Sequence, residues 1–322
     1  MIKSDKHIEI VRSTIPELHS MGVKSSGLLR EVLSQHFKKV GETMLDKPSD
    51  IKRLIKKNPD LVFVGVKNLP VPSKLNSDKL SLIDHLEKNK IRYTGSSGAA
   101  RNIAIQKDLA KQVVRDAKLS TAGFFVTKPG QYHSSNTLPL KFPLFIKPPH
   151  RSHGIGIDDN SVVRSFSEYE QKIESILINY SSSSLVEQYL SGREFSVAIL
   201  ETAKGQDPFV MPVEILTKEN SRGDKILGYR VKNQDHEEVI AIDSEVIKTC
   251  VGALAKSVFT ALGAKGYARI DIRMSDAGTA YFLEANLAPG LGHGYFARAC
   301  QINRKMSYET MVMKIAELGL RS

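Results

Sequence analysis

The stretch YFLEANLAPGLGHG, residues 281–294, carries an apolar run straight into Glu284 and Asn286 and then breaks at Pro289-Gly290. Side chains two apart on a strand share a face, so the carboxylate and the carboxamide point the same way. Upstream lies ARIDIRM, followed by the turn chemistry of SDAG. If the two segments pair as an antiparallel hairpin, Asp271 falls opposite the neighbourhood of Leu283 and Glu284. Two carboxylates and an amide oxygen in one small volume need neutralising. A hard divalent cation such as Mg²⁺ takes oxygen ligands of this kind, commonly with phosphate oxygens completing its shell. The same acids could instead pair with Arg269 or Arg273 in a metal-free surface hairpin. On the hairpin alone, both readings stay open.

Basic and glycine-bearing segments upstream bear on the choice. Lys147 ends the apolar run PLFIK, which sets its ammonium at the mouth of a sheet. PPHRSHGIGI follows, and Gly154 and Gly156 permit a tight loop whose N–H groups can approach phosphate oxygens. Such a G-x-G occurs in many turns. Lys107 opens a helix, where a solvated role is the default. VEQYLSGREFSV offers Glu187, the Gln188–Leu190 backbone and Glu194 on paired strands. That segment reads either as a hinge for a base and a ribose or as an ordinary hairpin with solvent-facing acids.

The elements that would position these groups follow from periodicity. HIEIVR alternates, SSGLLREVLSQHFKKVG (25–41) has helical spacing with a closing glycine, and DLVFVGV is a continuous apolar run. SDKLSLIDHLEKNK is helical again, so the first third predicts a small parallel sheet flanked by helices. The basic runs FKKVG and IKRLIKKNPD fit exposed helix faces. AIQKDLAKQVVRDAKL places Ile105, Leu109, Val113 and Ala117 on one stripe of a single amphipathic helix. KFPLFIKPP is a short strand stopped by prolines, and Ser167 with Glu170 has capping-box spacing. SLVEQYL and EFSVAIL read as strands joined by the turn SG. A long helix capped by Asp243 or Ser244 ends at Gly263, and SYETMVMKIAELG closes the chain as a helix.

The 322 residues suffice for two or three packed units. Hydrophobic residues at 41% and charged residues at 25% are those of an ordinary globular chain with a sizeable core. No apolar run approaches the length of a membrane span, and MIKSDKHIEIVRS lacks the features of a secretory signal. Cys250 and Cys300 are the only cysteines, 50 positions apart, which argues against a disulfide framework or a cysteine metal site and reads as reduced thiols in the cytoplasm. The formal charge is +11, but the lysines and arginines are spread along the chain without interleaved aromatics. An anionic small-molecule site explains that excess better than nucleic acid does.

The order of these pieces resembles the ATP-grasp fold: Lys107, then Lys147 with its glycine loop, then Glu187 to Leu190 and Glu194, then Asp271, Glu284 and Asn286. Within that fold the chain is similar to the D-alanine–D-alanine ligase family, through IRYTGSSGAARNIAIQKDLAKQVV and GYARIDIRM…YFLEANLAPGL, over nearly all of residues 90–322. The resemblance implies a mixed α/β (α+β) architecture in three parts. These are a small parallel-sheet α/β domain over residues 1–97, a central α+β subdomain over 98–184, and an antiparallel-sheet subdomain over 185–322 that clasps ATP with the second. It implies that Lys107 and Lys147 contact the ATP phosphates beneath a loop carrying Ser152, His153, Gly154 and Gly156. Glu187, Gln188, Tyr189 and Leu190 would hold adenine and Glu194 the ribose, while Lys232 would reach the γ-phosphate. Asp271, Glu284 and Asn286 would hold two Mg²⁺ ions, with Mn²⁺ as a substitute. Arg269, with a backbone N–H near Gly290, would steady an oxyanion.

The amino-acid-binding positions of that family are rewritten here. His153 stands where a serine is usual, Asn233 follows Lys232 in place of a tyrosine, and Glu17 is the one glutamate that RSTIPELHSMG offers. VKNLPVPSKLN replaces an acid-rich stretch, and Tyr295 replaces a small hydroxyl residue, near His293. The expectation is an ATP-dependent carboxylate–amine ligase working through an acylphosphate on small-molecule acid and amine substrates, with an altered substrate pocket. His153, Asn233, His293 and Tyr295 are the candidate substrate contacts, and a homodimer is the assembly the resemblance implies. The alternatives are D-alanine–D-alanine ligase proper, serving peptidoglycan precursors, and a nucleotide-binding module without ligase chemistry.

Overall fold

The computed structural model describes residues 2–15, 21–66, 81–151, 154–203, 205–228 and 237–321. Three sheets organise it. The first is the parallel sheet expected from the alternation, in the order β2-β1-β3, built from β1 (Ser4–Arg12), β2 (Phe37–Met44) and β3 (Leu61–Val64). One face of it buries Ile8, Ile10 and Phe63 with Leu29 and Leu33 of α1 (Val23–His36). The other buries Val11, Val62 and Val64 with Leu54 of α2 (Asp50–Lys57) and Leu86 of α3 (Leu82–Lys88). Burial of about a dozen aliphatic side chains at roughly 1.5–3 kcal/mol each drives this packing.

The helical reading of residues 25–41 ran too far. The helix ends at His36 and the chain passes directly into β2, so FKKVG is strand rather than exposed helix. No Gly or Pro punctuates the change. Tertiary pairing of Val40 and Gly41 with Ile8 and Glu9 overrides the local spacing. A Cβ on Gly41 would lie 2.2 Å from Glu9 Oε2, so any larger residue there would displace the Glu9 carboxylate.

AIQKDLAKQVVRDAKL is two helices, α4 (Gly98–Ile105) and α5 (Lys107–Asp116), broken at Gln106 with φ −94° and ψ 94°. The buried face of α5 is Lys107, Ala110, Lys111 and Val114, while Leu109 is exposed, so the apolar stripe named above is not the inward one. Two ammoniums turn inward because carboxylates await them, as described below.

The second sheet, in the order β4-β7-β5-β6, is antiparallel and comprises β4 (Phe124–Thr127), β5 (Leu144–Lys147), β6 (Val162–Val163) and β7 (Ser184–Gln188). Its cover, α6 (Phe166–Tyr180), is capped by Ser165, not Ser167: Ser165 Oγ accepts from Glu168 N at 3.2 Å, and Glu168 Oε2 accepts from Arg164 N at 2.7 Å. The third sheet, β10-β9-β8-β11-β12, comprises β8 (Glu194–Leu200), β9 (Phe209–Leu216), β10 (Glu238–Ile240), β11 (Tyr267–Met274) and β12 (Ala280–Asn286). Against it pack α4, α5 and α7 (Glu245–Ala261) on one side. On the other lie α8 (Tyr295–Arg304) and α9 (Tyr308–Arg321). Ser244 caps α7, and Gly263 follows it at φ +63°.

Strands β7 and β8 do not pair. The first joins β4 and β5, the second joins β9 and β11, so residues 189–193 cross between two sheets instead of turning a hairpin. Sheet membership therefore changes after Gln188, within the segment assigned from sequence to the C-terminal part. Among the described residues no helix is long and apolar enough to cross a membrane.

Candidate active site

The crossing at 189–193 leaves a cleft between the second and third sheets. Phe145, Lys147 and Glu187 line it from one sheet, and Glu194, Asp271, Arg273 and Glu284 from the other. Gln188, Tyr189 and Leu190 form its edge, and Ile157, Ile226 and Leu227 its apolar cover.

At one end lies a buried ionic cluster. Lys147 Nζ is 2.6 Å from Glu187 Oε2, and Lys111 Nζ is 2.5 Å from Glu187 Oε1. Lys111 is fully enclosed and also donates to Thr121 Oγ1 at 3.1 Å and to the Phe282 carbonyl at 3.2 Å. Burial is the largest influence on Glu187 and opposes its charge, yet Lys111 and Lys147 together hold its carboxyl below the usual range. Burial likewise weighs most on Lys147, but Glu187 and Glu284 push its ammonium up; for Lys111 burial wins and pulls it down. Lys107, lowered by burial, sits 3.5 Å from Glu284 Oε2 and donates to the Arg151 carbonyl. Of these three ammoniums Lys147 lines the cleft, where it can meet an anionic group.

Across the cleft the hairpin has the register expected from its sequence. Asp271 pairs with Glu284 and Arg269 with Asn286. A bulge at Asp271/Ile272 makes Phe282 the next partner and leaves Leu283 to line the cleft. Bulges re-aim side chains beside sites in this way. The arginine pairing weighed against a metal is present as well. Arg269 Nε and Nη2 donate to Asp271 at 2.9 and 2.8 Å, and Arg273 Nη1 lies 3.2 Å from Glu194 Oε2. Ser196 Oγ also donates to Asp271 at 2.8 Å. Asn286 Oδ1 accepts from Ala288 N at 3.1 Å. Both carboxylates nevertheless line the cleft, and the three oxygen-bearing side chains suit a hard divalent cation. Among the described residues no group of three or more His, Cys, Asp and Glu side chains is gathered to hold a metal ion.

The other expected residues divide. Gly154 and Gly156 have φ of +74° and +83°, and a Cβ on Gly156 would meet Pro148 Cγ at 2.5 Å, so the loop beside Lys147 requires glycine. Gly290 and His293 are exposed and do not line the cleft, and the His293 ring lies 5.0 Å from that of Tyr308. Tyr295 sets its ring 5.4 Å from the Arg269 guanidinium and donates its O–H to Glu237. Glu17, Ser152, His153, Lys232 and Asn233 lie outside the described residues.

Sequence reasoning missed Lys111 and gave Arg273 too small a part. Lys111 follows Lys107 by one helical turn, and that i,i+4 spacing was the available signal. Arg273 donates to the Gly192 carbonyl at 3.3 Å and the Lys225 carbonyl at 2.8 Å, tying the crossing segment to the cover of the cleft. Gly192 is held close, since a Cβ there would lie 2.6 Å from the Met274 carbonyl oxygen.

Residues 113–317 match the family described as D-ala D-ala ligase C-terminus. The chain is 28% identical to the D-alanine–D-alanine ligase of Pseudoalteromonas translucida over 73% of its own length and 74% of the relative's. It is 30% identical to that of Geotalea uraniireducens over 64% and 63%. It is also 28% identical to the uncharacterized protein y4sG of Sinorhizobium fredii over 73% and 68%. The fold superposes on the D-alanine–D-alanine ligase from Bacillus anthracis complexed with ATP, with a TM-score of 0.76 at 20% identity, covering 99% of this chain and 98% of that one.

Proposed function

The chain belongs to the D-ala D-ala ligase C-terminus family of ATP-dependent ligases, and we propose that it joins a small carboxylate to an amine through an acylphosphate. The observation that carries this reading is one cleft with buried lysines at Glu187 on one wall and Asp271 in register with Glu284 on the other. That arrangement fits a triphosphate spanning from ammoniums to oxygen ligands.

A carboxylate resists amine attack because its charge repels the nucleophile and oxide is a poor leaving group. Transfer of the γ-phosphoryl group to it supplies phosphate as leaving group. Lys107 and Lys147 hold the phosphate oxygens, and their buried setting strengthens that attraction. Asp271, Glu284 and Asn286 would hold Mg²⁺, which neutralises charge on the transferring group. Glu194, braced by Arg273, takes the ribose hydroxyls, and the backbone of Gln188 to Leu190 takes the base. Arg269 faces the reacting carboxyl and steadies the oxyanion formed on amine attack. Ile157, Ile226 and Leu227 keep water from the acylphosphate.

Two substrate readings have support. The names of the relatives favour D-alanine as both donor and acceptor. Tyr295 against Glu237 favours a changed amine pocket. An amino-acid panel assayed for ATP-dependent phosphate release, with the products weighed by mass spectrometry, separates them. Release with D-alanine alone and formation of its dipeptide selects the first, and release only with another pair selects the second. Tight ATP binding without release for any pair would overturn the ligase reading in favour of a binding module.

Gly192→Ala tests the nucleotide end. The added methyl must push the crossing segment off Met274, so KM for ATP should rise roughly tenfold with a smaller change in kcat. Steady-state kinetics at varied ATP reads this directly.

A further inference from the structure

We propose that Glu237, aimed by Tyr295, receives the ammonium group of the acceptor and takes its proton as the amine attacks; this rests on the ligase reading above.

Glu237 stands just before β10 and is 7% exposed. One of its oxygens, Oε1, accepts from the Tyr295 phenol. The other, Oε2, is buried without a hydrogen-bond partner among the described residues. An unmet buried acceptor costs roughly 1–3 kcal/mol, and more when charged, so a site that keeps one has a donor to receive. The Tyr295 ring lies 5.4 Å from the guanidinium of Arg269, the group assigned above to the oxyanion, which ties Glu237 to that end of the site. Burial raises the phenol well above its ordinary value and the Glu237 charge adds to this, so Tyr295 stays protonated and keeps donating. The charged groups it meets are Glu237, Arg269 and Asp271.

An acceptor amine arrives as R–NH₃⁺, which satisfies Oε2 but has no lone pair to attack with. One N–H proton passes to Glu237 Oε2, leaving R–NH₂. The nitrogen lone pair then forms the C–N bond as the C=O electron pair moves onto oxygen, and the resulting oxyanion collapses as the acyl C–O bond breaks and its electron pair departs with phosphate. The second excess proton leaves nitrogen with that phosphate. Glu237 thus selects a cationic nitrogen and repels a second carboxylate.

Hydroxylamine provides the test, because it is largely unprotonated at neutral pH and traps an acylphosphate as a hydroxamate without a base. The carboxylate active in the phosphate-release panel, D-alanine first, is offered with hydroxylamine or with the amino-acid acceptor. Glu237→Gln keeps the shape and the acceptor for Tyr295. It should lower kcat/KM for the protonated amine at least about 100-fold while hydroxamate formation stays within about threefold. Tyr295→Phe, should the first variant not fold, should lower the amine reaction about tenfold and again spare the hydroxamate. Equal loss of both products, or loss of neither, overturns the assignment. Wild-type protein that makes neither product would remove the ligase reading and this inference with it.

Discussion

Glu284→Gln should reduce ATP-driven phosphate release by about 10³-fold or more while leaving the thermal unfolding midpoint within a few degrees of wild type. The expectation follows from where Glu284 stands. Its side chain is 30% exposed, so the fold does not depend on it, yet it faces Asp271 in register across β11 and β12. Glutamine keeps the volume and one oxygen but removes the charge that, with Asp271 and Asn286, matches a hard cation. It also frees Lys107 from a partner 3.5 Å away, so phosphate binding by Lys107 should persist or tighten. The loss should therefore fall on kcat far more than on KM for ATP. A variant with near-normal turnover would return the hairpin to the metal-free reading, in which Asp271 serves Arg269 and Glu284 serves Lys107.

The largest stability effect should come from Glu187→Gln. Removing this charge leaves Lys111 and Lys147 as buried like charges, and breaking a buried ion pair from one side costs about 3–5 kcal/mol. Denaturant unfolding should show the midpoint falling with little change in slope. A loss below about 1 kcal/mol would mean that the cluster is solvated, contrary to its burial. The same carboxyl sets an acid limit. Its value in the folded chain lies below the ordinary 4.5, so its stabilisation is complete above the unfolded value and is lost as pH falls through the folded one. Wild type should weaken below about pH 4.5, and Glu187→Gln should lack that component.

The hairpin was legible because every local signal agreed: alternation in ARIDIRM and TAYFLEAN, a turn at SDAG, and acids at positions that share a face. The long helix at Glu245–Ala261 was legible for the same reason, with its serine cap and closing glycine. Lys111 was not. A lysine on an amphipathic helix looks solvated until Glu187, on a strand far along the chain, is brought against it. The passage from α1 into β2 was hidden because nothing at His36–Phe37 interrupts the helical spacing. The separation of β7 from β8 was hidden because each run reads as strand, while its partner is chosen by tertiary packing. That separation is what turns Gln188–Leu190 into the edge of a cleft.

The Glu237–Tyr295 pair lies beyond what either segment signals alone. Glu237 sits in a polar stretch before an edge strand, and Tyr295 opens a short helix. Only the fold sets them together, with the Tyr295 ring against Arg269.

The most direct test follows oxygen. The donor acid is prepared with ¹⁸O in its carboxylate and turned over once with ATP and the acceptor, and the released phosphate is weighed. Phosphoryl transfer to the carboxylate requires one labelled oxygen to leave in each phosphate. Amide formed while the phosphate carries no label, with the expelled carboxylate oxygen found in AMP or water instead, would contradict the acylphosphate and the arrangement of Lys147, Glu284 and Arg269 around it.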